Sequence, residues 1–340
     1  MNYILKDENA VFYECGFSCD SVVFLKLGSE SFFITDGRYY EEAKESIKNS
    51  EVIQSSDLFK NAREILRKNR ITKLFYDPFE WSVEEFYKLS FKLTDCYFQK
   101  KIKLSQTKRI IKSKEEIEII KKAVKLGSEG FKNFAEFLKA NGADKDEKRL
   151  HFEAENILKR NGELDISFSP IVAINENSAK PHALPGEKKL NRGDLLLFDA
   201  GVKYQRYCSD RTRMMEFDYL FDFDLKKSFK DKKRQKIYDT VLKAKDAAAS
   251  VAKDGIKAKD VDKAAREVIS KAGYERYFIH STGHGVGLDI HELPVISKRD
   301  DTLLKEGMVF TIEPGIYLPG EFGIRIEDMY VIQNGKATIL

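Results

Sequence analysis

The chain has 340 residues, more than a single hydrophobic core usually accommodates, so two domains are expected. Its 59 Lys and Arg against 55 Asp and Glu give a net charge of +4, too small an excess to indicate a nucleic-acid partner or an anionic membrane surface. No run approaches the roughly 20 apolar residues of a membrane span, no export signal opens the chain, and four cysteines are too few for a disulfide framework, so a cytoplasmic protein is expected.

The first 105 residues are predicted to form a compact α/β domain. Two β-rich runs, VVFLKLG and SFFITDG, each end in Gly, and the second leads into the helical stretch RYYEEAKESIKNS. A helix over residues 59–70 and a strand ending at Pro78 follow. Strands that alternate with helices are typical of a layered α/β domain. No GxGxxG or P-loop motif stands at a strand–helix junction, so no nucleotide site is indicated.

The remainder, residues 106–340, is predicted to be an α+β domain. A long amphipathic helix begins after Ser113, which has Glu116 three positions later as in a capping box. Further helices are predicted over residues 150–161 and 236–252. The β-rich runs lie at residues 166–174, 194–202, 308–316 and 324–332.

Residues 217–236 differ in composition from the rest of the chain. The acidic and aromatic run FDYLFDFD is followed by KKSFKDKKRQK, which carries seven basic residues and one Asp. An anion or nucleic-acid patch is one interpretation. Charge runs commonly mark exposed segments, so we favour a solvated loop that leads into the next helix.

Two aspartates flank a predicted hairpin. The apolar run at residues 195–198 ends in Asp199, and the segment YCSD is predicted to return and end in Asp210. A hairpin of this length would bring the two carboxylates together. Because carboxylates in an apolar setting repel each other, one must be protonated or a cation must lie between them. An Asp pair that serves turns and caps is the alternative.

Three of the five histidines lie between residues 280 and 291. His280 and His284 have the spacing of a helical metal site, but the glycines in STGHGVG disfavour a helix there. A glycine-flanked His284 in an extended segment would let other groups approach the ring closely. His291 follows in the next predicted strand. A lone histidine is more often a satisfied core residue, but three within twelve positions, from a total of five, favour a functional cluster.

Two glutamates interrupt apolar β-type runs, Glu313 in MVFTIEPGIY and Glu327 in GIRIEDMYVI. A buried Glu is costly unless it is paired or binds a metal. Arg325 shares a strand face with Glu327 and could pair with one of the glutamates, which would leave the other and both aspartates unexplained. A metal centre accounts for all four carboxylates.

The charge of this set indicates two metal ions. Four ionised carboxylates sum to −4, which two divalent cations would balance, and His284 would add one imidazole. A ligand set made mostly of oxygens suits manganese, and also cobalt, iron or zinc. Two such ions about 3.5–4 Å apart would hold a hydroxide and polarise a substrate oxygen.

The motifs FDAG, YCSDRTR, GHGVGLDIHE, TIEPGIY and GIRIED, in this order, closely resemble those of the pita-bread metallopeptidases. These are the Xaa-Pro aminopeptidases, the prolidases and, more distantly, the methionine aminopeptidases. The resemblance covers residues 108–340, and the first 105 residues resemble the smaller domain that precedes the catalytic domain in Xaa-Pro aminopeptidases, prolidases and creatinases. It implies an α+β pita-bread catalytic domain over residues 106–340 behind a smaller α/β domain over residues 1–105, and a homodimer.

The resemblance also implies roles for individual residues. The ligands of a dinuclear metal centre would be Asp199, Asp210, His284, Glu313 and Glu327. The residues that act in catalysis would be His182, His280, His291, Glu313 and Arg325. Asp210 and Glu327 would bridge the metals, and Glu313 would also shuttle a proton.

The remaining implied roles concern the substrate. His291 would contact the scissile carbonyl, and His182 and His280 would line the substrate pocket. Arg325 would orient the bridging glutamate beside it.

The resemblance implies a metalloaminopeptidase that hydrolyses the Xaa-Pro bond of peptides with proline in second position, through a hydroxide that bridges two metals. Val295 stands where some prolidases have an arginine thought to grip the dipeptide carboxylate, and this favours the aminopeptidase. An Xaa-Pro dipeptidase is the alternative. A non-catalytic peptide-binding module is a third hypothesis, but such a module would be expected to have lost metal ligands, and all five ligand positions are kept here. The 217–236 segment is longer than the usual family connection and is treated as an insertion.

Overall fold

The computed structural model describes residues 1–218, 222–224 and 228–340. The chain divides into two compact units, Met1–Arg109 and Ile110–Leu340. The boundary predicted after residue 105 falls inside a helix that belongs to the first unit. Leu104 in that helix is buried in the core of the first unit, and its amide donates to Asp77. Within the described residues, no helix is both long and apolar enough to cross a membrane.

The first unit contains one six-stranded sheet. Its strands are β1 (Tyr3–Leu5), β2 (Val22–Leu27), β3 (Glu30–Thr35), β4 (Glu51–Gln54), β5 (Lys73–Tyr76) and β6 (Tyr97–Lys100). Its helices are α1 (Glu8–Cys15), α2 (Tyr40–Ser46), α3 (Leu58–Lys68), α4 (Val83–Ser90) and α5 (Leu104–Arg109). The sheet order is β4-β3-β2-β1-β5-β6. Strand β2 is antiparallel to both β1 and β3, and the other neighbouring pairs are parallel.

Both faces of this sheet are covered. Successive side chains of a strand point to opposite faces, and in β1 they enter two different buried clusters. Ile4 lies in the cluster with Leu66 of α3, whereas Leu5 lies in the cluster with Val11 of α1. The first unit is therefore a layered α/β structure, as its alternation of strands and helices indicated.

The second unit begins with the long helix expected after Ser113. Its helices are α6 (Lys114–Asn141), α7 (Glu147–Lys159), α8 (Lys232–Val251) and α9 (Ala258–Lys271). The Ser113 side chain accepts from the Glu116 amide, and the Glu116 side chain accepts from the Ser113 amide, which is the predicted capping box. Helix α8 starts four residues before the predicted position because Asp231 caps it.

The strands of the second unit form several antiparallel sheets. They are β7 (Asp165–Ile166), β8 (Ile171–Ile174), β9 (Leu195–Ala200), β10 (Val202–Tyr204), β11 (Tyr207–Cys208), β12 (Arg211–Glu216), β13 (Gly283–Gly285), β14 (Glu292–Ile296), β15 (Val309–Ile312), β16 (Gly315–Leu318), β17 (Phe322–Arg325), β18 (Asp328–Gln333) and β19 (Lys336–Ile339). The sheet orders are β11-β10-β7, β12-β9-β8, β14-β13-β15-β18-β19 and β16-β17.

Each predicted β-rich run of this unit contains parts of two strands, and the two strands belong to different sheets. At Gly201 a Cβ would overlap the Ser209 carbonyl oxygen, and this close approach turns the chain between β9 and β10. Pro314 has no amide hydrogen, so it cannot continue the ladder of β15 into β16. These breaks lie next to the carboxylates discussed below.

Strand β9 lies between two cores. Leu195 and Leu197 belong to a buried cluster that includes α8 and α9, and Leu196 and Phe198 to one that includes α6 and α7. Asp199 follows on the same face as Leu195 and Leu197.

The insertion predicted over residues 217–236 lies partly outside the described residues, at 219–221 and 225–227. Among its described residues, Phe223 packs on Phe131, Phe134 and Phe198. The segment is therefore anchored in the core at this position and is not solvated throughout.

Candidate active site

Two aspartates approach each other through the pairing of β9 with β12. Thr212 is the register partner of Asp199, and Asp210 directly precedes β12. Both carboxylates are buried. Burial raises the pKa of Asp210 well above its usual value, and the charges of Glu327 and Asp199 raise it further. The segment predicted to return beside residues 195–198 pairs with β10 instead, so that pairing was wrong, and the aspartates are brought together by β12, the strand that follows Asp210.

The two glutamates lie at strand junctions and not inside strands as predicted. Glu313 joins β15 to β16, and its amide donates to the Thr282 carbonyl at 2.7 Å. Glu327 joins β17 to β18, and its amide donates to the Thr212 carbonyl at 3.2 Å. Burial raises the pKa of Glu313 to about 8 and that of Glu327 well above its usual value.

His284 is held in β13 between two glycines that permit close packing. A Cβ at Gly283 would overlap the Thr311 carbonyl oxygen, and one at Gly285 would overlap that of Leu293. The His284 Nε2 atom lies 3.6 Å from Asp210 Oδ2 and 3.4 Å from Glu313 Oε1. Burial lowers the pKa of His284 to about 3, so the ring is neutral and can act as a ligand.

The chemistry of this cluster fits divalent cations. Ligand atoms of Asp210, His284 and Glu327 lie within 4.8 Å of one another. Among the described residues, the buried atoms Asp199 Oδ1 and Glu327 Oε1 have no hydrogen-bond partner. Four acidic side chains face a single guanidinium, so three negative charges would stay uncompensated if all were ionised. Cations would satisfy both the orphaned oxygens and this charge.

Arg325 pairs with Asp199, so the suggested pairing of Arg325 with a glutamate was wrong. Its Nε donates to Thr212 Oγ1 at 3.1 Å, and this hydroxyl donates to Glu327 Oε2 at 2.7 Å. Arg325 therefore contacts Asp199 directly and reaches Glu327 through Thr212. The register of β9 with β12 sets this choice, because it places Asp199 beside Thr212.

Tyr317 is a site residue to which the sequence reasoning assigned no role. Its hydroxyl accepts from Arg325 Nη1 at 2.8 Å and lies 2.9 Å from His280 Nε2. Burial raises the pKa of Tyr317 to about 12 and lowers that of His280 to about 3. Tyr317 and Thr212 both lie in the quoted motifs TIEPGIY and YCSDRTR, which were the available signal.

Three further histidines, His182, His280 and His291, are linked to this cluster or to one another. The ring centroid of His291 lies 4.3 Å from that of His284. His182 is exposed, and its charge contributes to lowering the pKa of both His280 and His291. The three histidines thus interact with one another or with His284 beside the carboxylates. His151, which was assigned no role, contacts the Pro170 carbonyl oxygen through Nδ1.

Residues 118–334, well over half of the chain, match metallopeptidase family M24. The chain belongs to this family.

Three relatives illustrate the similarity. A protein named Xaa-Pro dipeptidase from Pyrococcus furiosus is 43% identical over 232 residues, which are 68% of this chain and 63% of that protein. The chain thus matches less than two thirds of that relative's length. The structure of an Xaa-Pro dipeptidase from Bacillus anthracis has a TM-score of 0.91 at 31% identity, covering 99% of this chain and 92% of that one. The structure of an X-Pro aminopeptidase from Thermotoga maritima has a TM-score of 0.86 at 31% identity, covering 99% and 94%.

These similarities confirm the predicted fold class. Both structural matches cover 99% of the chain, which includes the smaller α/β unit and the α+β pita-bread unit that follows it in sequence. The predicted resemblance to the pita-bread metallopeptidases is confirmed with it.

Proposed function

We propose that this chain is a metal-dependent peptidase that hydrolyses the bond between an N-terminal residue and proline. The observation that carries the proposal is the cluster of four carboxylates, three of them buried and that of Glu313 partly exposed, around the neutral imidazole of His284. Asp199, Asp210, His284, Glu313 and Glu327 would hold two divalent ions, manganese by preference, with cobalt, zinc and iron compatible with the same donors. When bound, these ions activate a water molecule and polarise the carbonyl under attack.

Glu313 is the residue suited to move the proton. Its carboxylate would lie beside the water held by the proposed ligands, since its Oε1 is 3.4 Å from His284 Nε2, and this is the position that a general acid–base group requires. It would take the proton from the attacking water and pass it toward the proline nitrogen. A peptide nitrogen must gain a proton to leave as an amine, and this delivery supplies it.

The histidines and the arginine have supporting roles in this proposal. His291 would donate to the oxyanion as it develops, and His182 and His280 would line the pocket for the substrate. Arg325 would keep Asp199 and Glu327 in place through the contacts described above.

Val295 supports an aminopeptidase that acts on peptides longer than two residues. It is the register partner of His284 in the pairing of β13 with β14, so its side chain lies on the same face as the imidazole. An apolar side chain at this position offers no grip to the carboxylate of a dipeptide. An Xaa-Pro dipeptidase is the second candidate, and similarity to the Xaa-Pro dipeptidase from Pyrococcus furiosus favours it.

The experiment is a metal-dependent activity panel on Xaa-Pro peptides of two to five residues. We expect hydrolysis of Ala-Pro-Ala to exceed that of Ala-Pro, and the reverse order would select the dipeptidase. Glu313→Ala should abolish turnover in a folded protein, and near-wild-type hydrolysis after metal replenishment would refute the mechanism. A wild-type protein that rebinds no metal would instead be the peptide-binding module. The cytoplasmic location and the homodimer stay predictions.

A further inference from the structure

A buried carboxylate outside the metal cluster organises the loop that carries His182. Glu147, the first residue of α7, is 1% exposed. Its Oε1 accepts from the Ile174 amide at 2.7 Å, and its Oε2 accepts from Asn177 Nδ2 at 2.7 Å and from the Gly186 amide at 2.6 Å. All three donors belong to the segment 174–186, so one side chain connects the two ends of this loop.

The loop is also closed on itself at Asn177. The side chain of Asn177 donates from Nδ2 to the Leu184 carbonyl at 3.0 Å, and its Oδ1 accepts from Lys180 Nζ at 3.0 Å. Gly186 fits close to the carboxylate, since a Cβ there would lie 3.1 Å from Glu147 Oε2. Glu147 and Asn177 therefore hold the two ends of residues 177–186 together.

The other side of the loop reaches the proposed catalytic residues. The Pro181 carbonyl accepts from Arg325 Nη1 at 3.2 Å, and Ser178 Oγ accepts from the Gly323 amide at 2.9 Å. His182 follows Pro181 directly. The backbone next to His182 is thus held from one side by β17 and from the other by Glu147.

We propose that Glu147 is a positioning residue that holds His182 where it contacts the peptide, and thereby sets the affinity for substrate. This inference rests on the proposed function. Charge matters here because a carboxylate offers acceptors to all three donors at once, which offsets the cost of its burial. A glutamine has the same shape, but one of its two terminal atoms is an NH₂ donor, which would face an N–H group.

The test compares Glu147→Gln with Glu155→Gln, which makes the same change on a partly exposed ion pair of the same helix. We expect Glu147→Gln to raise KM for Ala-Pro-Ala about tenfold with a smaller change in kcat. Amide hydrogen exchange of residues 175–190 should accelerate, and calorimetric binding of Mn²⁺ should be unchanged. Glu155→Gln should match the wild type in all three measurements.

A double-mutant cycle separates positioning from a general loss of structure. In a His182→Ala background, Glu147→Gln should raise KM by less than about twofold, because the residue through which it acts is gone. An unchanged KM in the single variant despite faster loop exchange would overturn the inference, as would full additivity with His182→Ala. If the wild type hydrolyses no Xaa-Pro peptide, the proposed function fails. Independently of activity, hydrogen exchange of residues 175–190 in Glu147→Gln that is as slow as in the wild type would refute the anchoring of the loop by Glu147.

Discussion

Arg325 Nη2 donates to Asp199 Oδ2 in the buried site, although the two residues are 126 positions apart. The same guanidinium contacts Thr212 and Tyr317, and through them it reaches Glu327 and His280. One planar side chain thus connects two proposed ligands with a proposed pocket residue. A point charge of the same sign could not make these contacts simultaneously.

Arg325→Lys should therefore be severely impaired although it conserves the charge. We expect kcat/KM to fall about 100-fold and metal affinity to weaken, because a lysine cannot orient Asp199 and Thr212 together. Steady-state kinetics and calorimetric metal titration provide the measurement. Arg149→Lys, a largely exposed position on α7, is the control and should behave as the wild type. Wild-type metal affinity in Arg325→Lys would contradict the orienting role.

Val295→Arg should move the substrate preference toward dipeptides. An arginine on the face of His284 would supply a guanidinium for the carboxylate of Ala-Pro. We expect the ratio of kcat/KM for Ala-Pro to that for Ala-Pro-Ala to rise about tenfold. Val295→Leu is the control for side-chain size and should leave the ratio unchanged. An unchanged ratio in Val295→Arg would show that this position does not select peptide length.

The buried ion pair of Lys112 with Glu292 should contribute strongly to stability. Both side chains are 1% exposed, and the two charged atoms lie 2.9 Å apart. Lys112→Met leaves a buried carboxylate without its cation and should lower the free energy of unfolding by about 3–5 kcal/mol. The double variant Lys112→Met/Glu292→Gln should recover part of this loss. Urea denaturation followed by circular dichroism measures both.

The control for this pair is Lys121→Met, which removes an exposed partner of Glu118. We expect a change of less than about 1 kcal/mol there, since exposed ion pairs contribute little. A Lys112→Met variant no less stable than this control would refute the prediction.

Glu80 should make the first unit less stable as the pH rises. Burial raises its pKa from 4.5 to about 7, while the Lys6 and Asp7 amides that donate to it act in the opposite direction. A raised carboxyl pKa means that the folded state binds its proton more tightly than the unfolded state. The contribution of the protonated Glu80 carboxyl to the free energy of unfolding is therefore complete below pH 4.5 and is lost as the pH rises through 7.

The measurement uses the single tryptophan of the chain, Trp81, which is buried in the first unit. The urea midpoint reported by its fluorescence should fall between pH 4.5 and pH 7.5 in the wild type and fall less in Glu80→Gln. Glu84→Gln, an exposed neighbour, should keep the wild-type slope. Parallel slopes in all three proteins would contradict the assignment.

Local features of the sequence were sufficient for much of this structure. The capping box at Ser113 and Glu116 is predictable because it involves residues three positions apart. The non-helical His284 is predictable because glycines on both sides disfavour a helix whatever the tertiary context. The order of the five candidate ligands indicated a metallopeptidase before any geometry was known, and the family match agrees with it.

Other features depend on pairing between distant strands. The strand breaks at Glu313 and Glu327, the choice of Asp199 as the partner of Arg325 and the place of Tyr317 in the site follow from sheet register. The anchoring of the His182 loop by Glu147 likewise joins residues 27 to 39 positions apart. The sequence by itself thus determined which chemical groups are present and in what order. Only the tertiary structure decided which of them touch, because a contact between distant residues depends on the packing of all the elements between them.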